Sequence, residues 1–377
     1  LRKSATPNRA IFNLFTSPSR MKALHMNFAH NVELILGLAC PILIILLVGS
    51  YCCLCRRREP DYLPHPENNG DDYEEKRASE ENLMRFHGGQ DLTIFDILEA
   101  PGEVIGKSAY GTLYKAFLLR SNHIGLLRFL RPVCVSRVSD FDEIVRFLGG
   151  IRHPNLIPLL GFYSGPRGEK LLVYPFFKNG NLNQFIQDGN NDSHKWTTVY
   201  DLSMALIKAL DHLHTGFSKP IIHGNLKSKN ILLDQNNNPF VSDFGIHKLL
   251  NPTTAQEMLE NSALEGYKAP EIVKMREVNK ETDIYSLGVI LLELLSGKPP
   301  VGENPSPDDE VYLPVILRNA LLDRRLSDFY HPDLLLGGGS EDRVVRFFEL
   351  AISCCSPFPS HRPRIKQVLS KLQDIGR

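Results

Sequence analysis

His223-Gly-Asn-Leu-Lys-Ser-Lys-Asn230 is the stretch whose reading decides the fold. Asp243-Phe244-Gly245 follows thirteen residues after Asn230, and Ala269 of Ala-Pro270-Glu271 comes 24 residues after Gly245. Upstream stands a glycine-bearing segment, Gly106-Lys-Ser-Ala-Tyr-Gly111-Thr-Leu-Tyr-Lys115. Downstream come Asp283-Ile-Tyr-Ser-Leu-Gly288 and His361-Arg362-Pro363. A lone G-x-x-x-x-G is weak evidence. Chance does not supply six short motifs in one fixed order.

Taken together the motifs resemble those of protein kinases. The Gly106–Gly111 segment looks like the glycine-rich loop, with Ser108 in place of the middle glycine. His223–Asn230 looks like the catalytic loop, Asp243-Phe244-Gly245 like the metal-binding motif, and Ala269-Pro270-Glu271 like the end of the activation segment. Tyr-Lys-Ala at 114–116, Arg-His-Pro-Asn-Leu at 152–156, Gly-Glu-Lys-Leu-Leu-Val-Tyr at 168–174, Asn179-Gly-Asn-Leu182, His212-Leu-His214 and Cys354-Cys355 narrow the resemblance to plant receptor-like kinases. Within that group the chain is similar to the inactive transmembrane kinase-like proteins of the leucine-rich-repeat type. The resemblance implies an α+β, bilobal fold, Ser/Thr phosphotransfer in intact members, and ATP with Mg²⁺ as cofactor.

Phosphoryl transfer is a matter of positioning and charge neutralisation, so each charge missing from the pattern counts. No lysine occurs between Lys115 and Lys170. The phosphate-holding lysine position therefore falls on Arg128 or, one register off, on Leu127. Arg128 offers a cation, but with a fork geometry unlike a lysine's point charge. The glutamate that should pair with that lysine is Ile144, and Glu143 lies about 100° round the helix. At the base position stands Asn225, whose neutral amide cannot take up a proton. General-base assistance is worth about 10²–10⁴ in rate. Gly224 replaces the preceding arginine, which removes the usual docking cation for a phosphorylated Thr253 or Thr254.

Other positions are kept. Lys227 remains in the catalytic loop, Asn230 and Asp243 are the implied metal pair, and Gly106 and Gly111 form the implied roof. Tyr174 and Phe177 are expected beside the nucleotide, with Pro175 where the family has an acidic residue. By resemblance Leu148, His223 and Phe244 line an apolar spine, Glu271 pairs with Arg362, and Asp283 anchors the catalytic-loop backbone. No catalytic set is intact.

The rest of the chain sets the context. Leu34–Leu54 is a run of 21 residues without a charge. As a helix rising about 1.5 Å per residue it spans the roughly 30 Å of a bilayer's hydrocarbon. Pro41 is tolerable in such a helix. Arg56-Arg57-Arg58 follows as a stop-transfer cluster, with Arg20 and Lys22 weakening the asymmetry. Orientation then rests on the kinase-like part being cytoplasmic, in a single-pass protein of the plasma membrane. The expected organisation is an extracellular stub at 1–33, the span at 34–54, a polar linker at 55–90 open to phosphorylation at Tyr73 or Ser79, and a kinase-like domain at 91–377. Its small lobe is expected at about 91–174 and its large lobe at about 178–377. The chain starts at Leu1 with no initiator Met, which reads as a fragment or a processed form.

Composition adds exclusions. Lys and Arg number 43 and so do Asp and Glu, so nothing global favours nucleic acid. The seven cysteines give neither a disulfide framework nor zinc-ligand pairs. Cys52, Cys53 and Cys55, at the edge of the apolar run, are either small apolar residues or palmitoylation sites. Strand-like segments at Glu103–Leu119 and His123–Leu130 precede helical patterns. Leu202, Leu206, Leu210 and Leu213 recur at helical spacing, as do Ile365, Val368, Leu369 and Leu372. The leading expectation is a pseudokinase acting through the bilayer, other receptor-like kinases or their substrates. The alternative is a weak ATP-dependent Ser/Thr kinase using Asp243, Lys227 and Arg128. A nucleotide-gated switch differs from the first only by saturable ATP binding.

Overall fold

The computed structural model describes residues 82–120, 122–136, 140–188, 193–272, 277–302, 312–336 and 338–377. The stub, the apolar run Leu34–Leu54, the clusters at Cys52–Arg58, and Tyr73 and Ser79 lie outside the described residues. Among the described residues no helix is long and apolar enough to cross a membrane.

The first half is a six-stranded antiparallel sheet. Its strands are β1 (Leu83–Arg85), β2 (Gly102–Lys107), β3 (Gly111–Leu118), β4 (His123–Leu130), β5 (Gly161–Ser164) and β6 (Lys170–Pro175), in the order β1-β5-β6-β4-β3-β2. The folded part thus reaches back into the segment expected as linker. Leu83–Arg85 pairs with Gly161–Ser164, and three residues are too short for alternation to show in the sequence. The strand-like stretch 103–119 is two strands, because the turn at Ser108–Tyr110 folds it back on itself.

Alternation sorts the two faces of the sheet. Ala116, Leu118, Leu127 and Val173 point to one side, where α1 (Ile94–Leu98) closes a small apolar cluster through Ile94 and Ile97. Thr93 caps that helix and Asp96 returns the hydrogen bond, a reciprocal capping box. On the other side α2 (Phe141–Gly149) packs Phe141, Val145 and Leu148 into the main core.

The second half is helical. In chain order come α3 (Leu182–Gln187), α4 (Trp196–Thr215), α5 (Pro252–Leu264), α6 (Lys280–Ser296), α7 (Leu313–Leu322), α8 (Asp333–Leu336), α9 (Glu341–Cys354) and α10 (Ile365–Gly376). A hairpin of β7 (Ile231–Leu233) and β8 (Pro239–Val241) sits among them. Leu202, Leu206, Leu210 and Leu213 of α4 are buried, as the spacing requires, and so are Ile365, Val368 and Leu372 of α10. Leu369 is half-buried against the same core. Helix α6 is buried from Thr282 to Ser296, which is why its sequence is apolar on every side. Phe347 and Phe348 of α9 are wholly buried beside it, and truncating either to Ala costs about 3–5 kcal/mol.

Candidate functional site

A cleft of about 930 Å³ opens between the glycine-bearing turn of the sheet and the loop His223–Asn230. Leu126 and Arg128 of β4 both line it, whereas Leu127 between them is buried on the opposite face. The strand's alternation therefore settles the register: the cation is Arg128. Its Nη2 lies 2.8 Å from Asp243 Oδ1. Ile144, on α2, packs against the core and Glu143 is exposed, so Arg128 finds its carboxylate at Asp243 and not on that helix.

Tyr110, at the turn between β2 and β3, completes the closure. Its ring is folded inward and buried, and its hydroxyl donates to Asp243 Oδ2 at 3.2 Å. The Tyr110 hydroxyl oxygen in turn accepts from Arg128 Nη1 at 3.1 Å. Both Asp243 oxygens are thus engaged. Burial alone would favour a neutral Arg128, but Asp243 outweighs it and holds the guanidinium firmly charged. Burial, and then the Asp243 charge, pushes the Tyr110 phenol well up, so it stays a neutral hydroxyl. Asp243 itself adopts a left-handed backbone conformation with φ 63°, a position that Asp tolerates better than most residues.

The loop His223–Asn230 is hung from a buried carboxylate. Asp283 accepts from the backbone N–H of His223 at 2.7 Å and of Gly224 at 2.9 Å, and it pairs with His214 Nε2 at 2.9 Å. Burial opposes the Asp283 charge, yet these donors win and hold its carboxyl below the usual range. Gly224 has φ +75°, and a Cβ there would stand 2.6 Å from His247 Nδ1. An arginine at this position has no room while the imidazole fills it. Asn225 is 2% exposed and lines the cleft, and its Oδ1 has no partner among the described residues.

Lys227 is turned aside. Its Nζ bonds Glu265 Oε2 at 2.6 Å, and Lys229 reaches the other oxygen at 3.3 Å. Glu265 ends α5, a helix that the sequence reading did not place although Asn251-Pro252 is a cap followed by a first-turn proline. Met258, Asn261 and Leu264 of α5 line the cleft, and Thr254 is buried in its first turn. Asn230 spends its amide N–H on the backbone oxygen of Asn225 at 2.8 Å.

The remaining expected residues fall around this centre. Gly106, Gly111 and Phe177 line the cleft, and Phe177 packs on Phe240 at 4.6 Å between ring centroids. Tyr174 lies deeper than expected. It lines a small apolar cavity of about 20 Å³ with Leu148 and Phe244, behind Arg128 and Asp243. Gly245 N donates to the His223 oxygen at 3.3 Å, which ties His223 to the same region. Far from the cleft, Arg362 and Glu271 form a two-bond ion pair at 2.5 and 2.8 Å. Tyr110, His247 and Glu265 are the site residues that the sequence reading missed.

The arrangement does not suit a divalent metal. Mg²⁺ asks for free oxygens in near-octahedral array. Both oxygens of Asp243 are taken by Arg128 and Tyr110, and the Asn230 N–H, bonded to a backbone carbonyl, leaves that side chain one oxygen, Oδ1, to offer. At the base position the cleft presents the neutral amide of Asn225, which cannot take up a proton.

Comparison with known proteins gives the family. The description "protein kinase domain" matches residues 100–372. The kinase-like protein TMKL1 of Arabidopsis thaliana is 35% identical over 81% of this chain and 46% of its own length. Other Arabidopsis relatives are named as receptor-like protein kinases and inactive receptor kinases. The chain spans about half the length, or less, of these relatives. Among solved structures, the maize SIRK1 kinase domain bound to AMP-PNP superposes with a TM-score of 0.70 at 28% identity, covering 78% of this chain and all of that one. The pseudokinase domain of BIR2, described as an immune regulator, gives 0.66 at 28% identity over 80% of this chain and 92% of its own.

Proposed function

The chain belongs to the protein kinase family and is kin to plant receptor-like kinases, and from that premise we propose that it is a silent member that signals by binding. The observation that carries this reading is the closed centre: Asp243 held by Arg128 and Tyr110, above an Asn225 that cannot act as base. Without a carboxylate at Asn225 the substrate hydroxyl keeps its proton, which forgoes about 10²–10⁴ in rate. With Lys227 bound to Glu265, the remaining phosphate-holding cation of the loop is also engaged.

In this reading the protein is anchored by Leu34–Leu54 in the plasma membrane, with the kinase fold in the cytoplasm. Its partners are active receptor-like kinases or their substrates, gripped through the lobes. The experiment adds the full chain to an active receptor-like kinase and follows the partner's turnover and substrate capture. The reading expects a change that persists when the added chain carries Asp243→Ala. An effect abolished by Asp243→Ala, in a sample whose melting shows the variant folded, would contradict it, because the chain would then be acting as a kinase.

A further inference from the structure

The charged lining of the cleft is unbalanced. Five cations, Lys107, Arg128, Lys178, Lys227 and Lys229, face two carboxylates, Asp243 and Glu265. In a metal-using kinase the divalent ion sits between the aspartate and the phosphates and neutralises both. Here the Asp243 carboxylate already has its countercharge, a guanidinium 2.8 Å away that stays protonated at any working pH.

Two further features point to an occupant that brings oxygen atoms and hydroxyls. Arg128 Nε–H is buried with no partner among the described residues. Asn225 is 2% exposed and leaves an amide atom unsatisfied at the cleft. That atom is the amide oxygen Oδ1, a strong hydrogen-bond acceptor without a partner among the described residues. The outer walls, Leu113, Leu126, Phe177 and Leu232, are apolar and suit a flat ring.

We propose that Arg128 stands in for the divalent ion, so that the cleft holds a nucleotide polyphosphate directly and without metal. The inference rests on the reading of the site as catalytically silent. Arg128 cancels the Asp243 charge that would otherwise repel phosphate, and Lys227 and Lys229 supply the attraction. Tyr110 and Glu265 are the groups that a phosphate displaces on entry. Mg²⁺ adds nothing to such a site. By neutralising the nucleotide it removes charge that the lysines would have met.

The test is calorimetric titration of the purified full chain with ADP and ATP, in EDTA and in excess MgCl₂. Binding is expected in EDTA, with Mg²⁺ leaving it equal or weakening it by about threefold. Asp243→Asn is the sharper probe. At a metal-dependent site it abolishes nucleotide binding, whereas here it retains or tightens it by removing a negative charge. Arg128→Ala is expected to weaken binding about tenfold or more. Arg128→Lys, which keeps a cation, covers the case in which the alanine variant does not fold, and melting on the same samples reports it. Binding that appears only with Mg²⁺, its loss in Asp243→Asn, or no saturable binding in either buffer overturns the proposal. The proposed silence fails separately, by phosphotransfer.

Discussion

Arg128 Nη2 and Asp243 Oδ1 lie 2.8 Å apart, joining a strand of the sheet to the loop before α5. The pair is nearly buried, with side chains 13% and 4% exposed. Breaking one side of such a pair strands a charge, at a cost of about 3–5 kcal/mol. Arg128→Ala should therefore lower stability by that order, and Asp243→Ala likewise. The double variant should recover part of the loss. Urea unfolding of the four proteins measures the coupling, and strict additivity would show that the pair does not form.

The Glu271–Arg362 pair makes a parallel prediction away from the cleft. The Arg362 guanidinium is fully buried and forks onto both carboxylate oxygens. Arg362→Lys keeps the charge but not the fork, so it should still destabilise by more than about 1 kcal/mol. A lysine variant with an unchanged unfolding midpoint would refute this.

Gly224 and His247 should be energetically coupled. Gly224→Ala places a Cβ in left-handed backbone, costing about 1–2 kcal/mol, and also presses on the imidazole. In a His247→Ala background the second part disappears, so the cost of Gly224→Ala should shrink measurably. Equal costs in both backgrounds would mean that the contact carries no energy.

A buried acid gives a pH signature. Glu293 lies wholly inside α6, and burial pushes its carboxyl up from 4.5 to about 8 despite hydrogen bonds from Tyr267 and Ser228. The unfolded chain releases this proton near 4.5 and the folded chain only near 8. The folded state thus binds more protons in between, and stability falls as pH rises through that window. Glu293→Gln should flatten this part of the stability profile, with its largest gain at the alkaline end. An unchanged slope between pH 5 and 8 would contradict the assignment.

How much of this was legible in the sequence differs from element to element. The helices α4 and α10 could be read from leucine and valine spacing because one face of each is buried. Helix α6 was marked by Asp283-Ile-Tyr-Ser-Leu-Gly288, although burial on all sides leaves it little periodicity. Asn225 stood out as a departure in type at a position fixed by neighbouring motifs, whereas the missing lysine left Arg128 and Leu127 as alternatives until the strand register was known. Their partners did not stand out, because pairing is tertiary: Tyr110 and Asp243 are 133 positions apart in the chain, and Lys227 and Glu265 are 38 apart. Gly224 could be seen as a missing arginine. That His247 fills its place appears only once the loop's backbone is known.

The central claim, that the closed centre does no phosphotransfer, is tested most directly by incubating the purified full chain with labelled ATP and Mg²⁺ or Mn²⁺. Asp243→Ala is run beside it. The account predicts that phosphate incorporation in the natural chain is the same as in Asp243→Ala. Incorporation that Asp243→Ala abolishes would contradict it and make Arg128 a working cation in a functioning site.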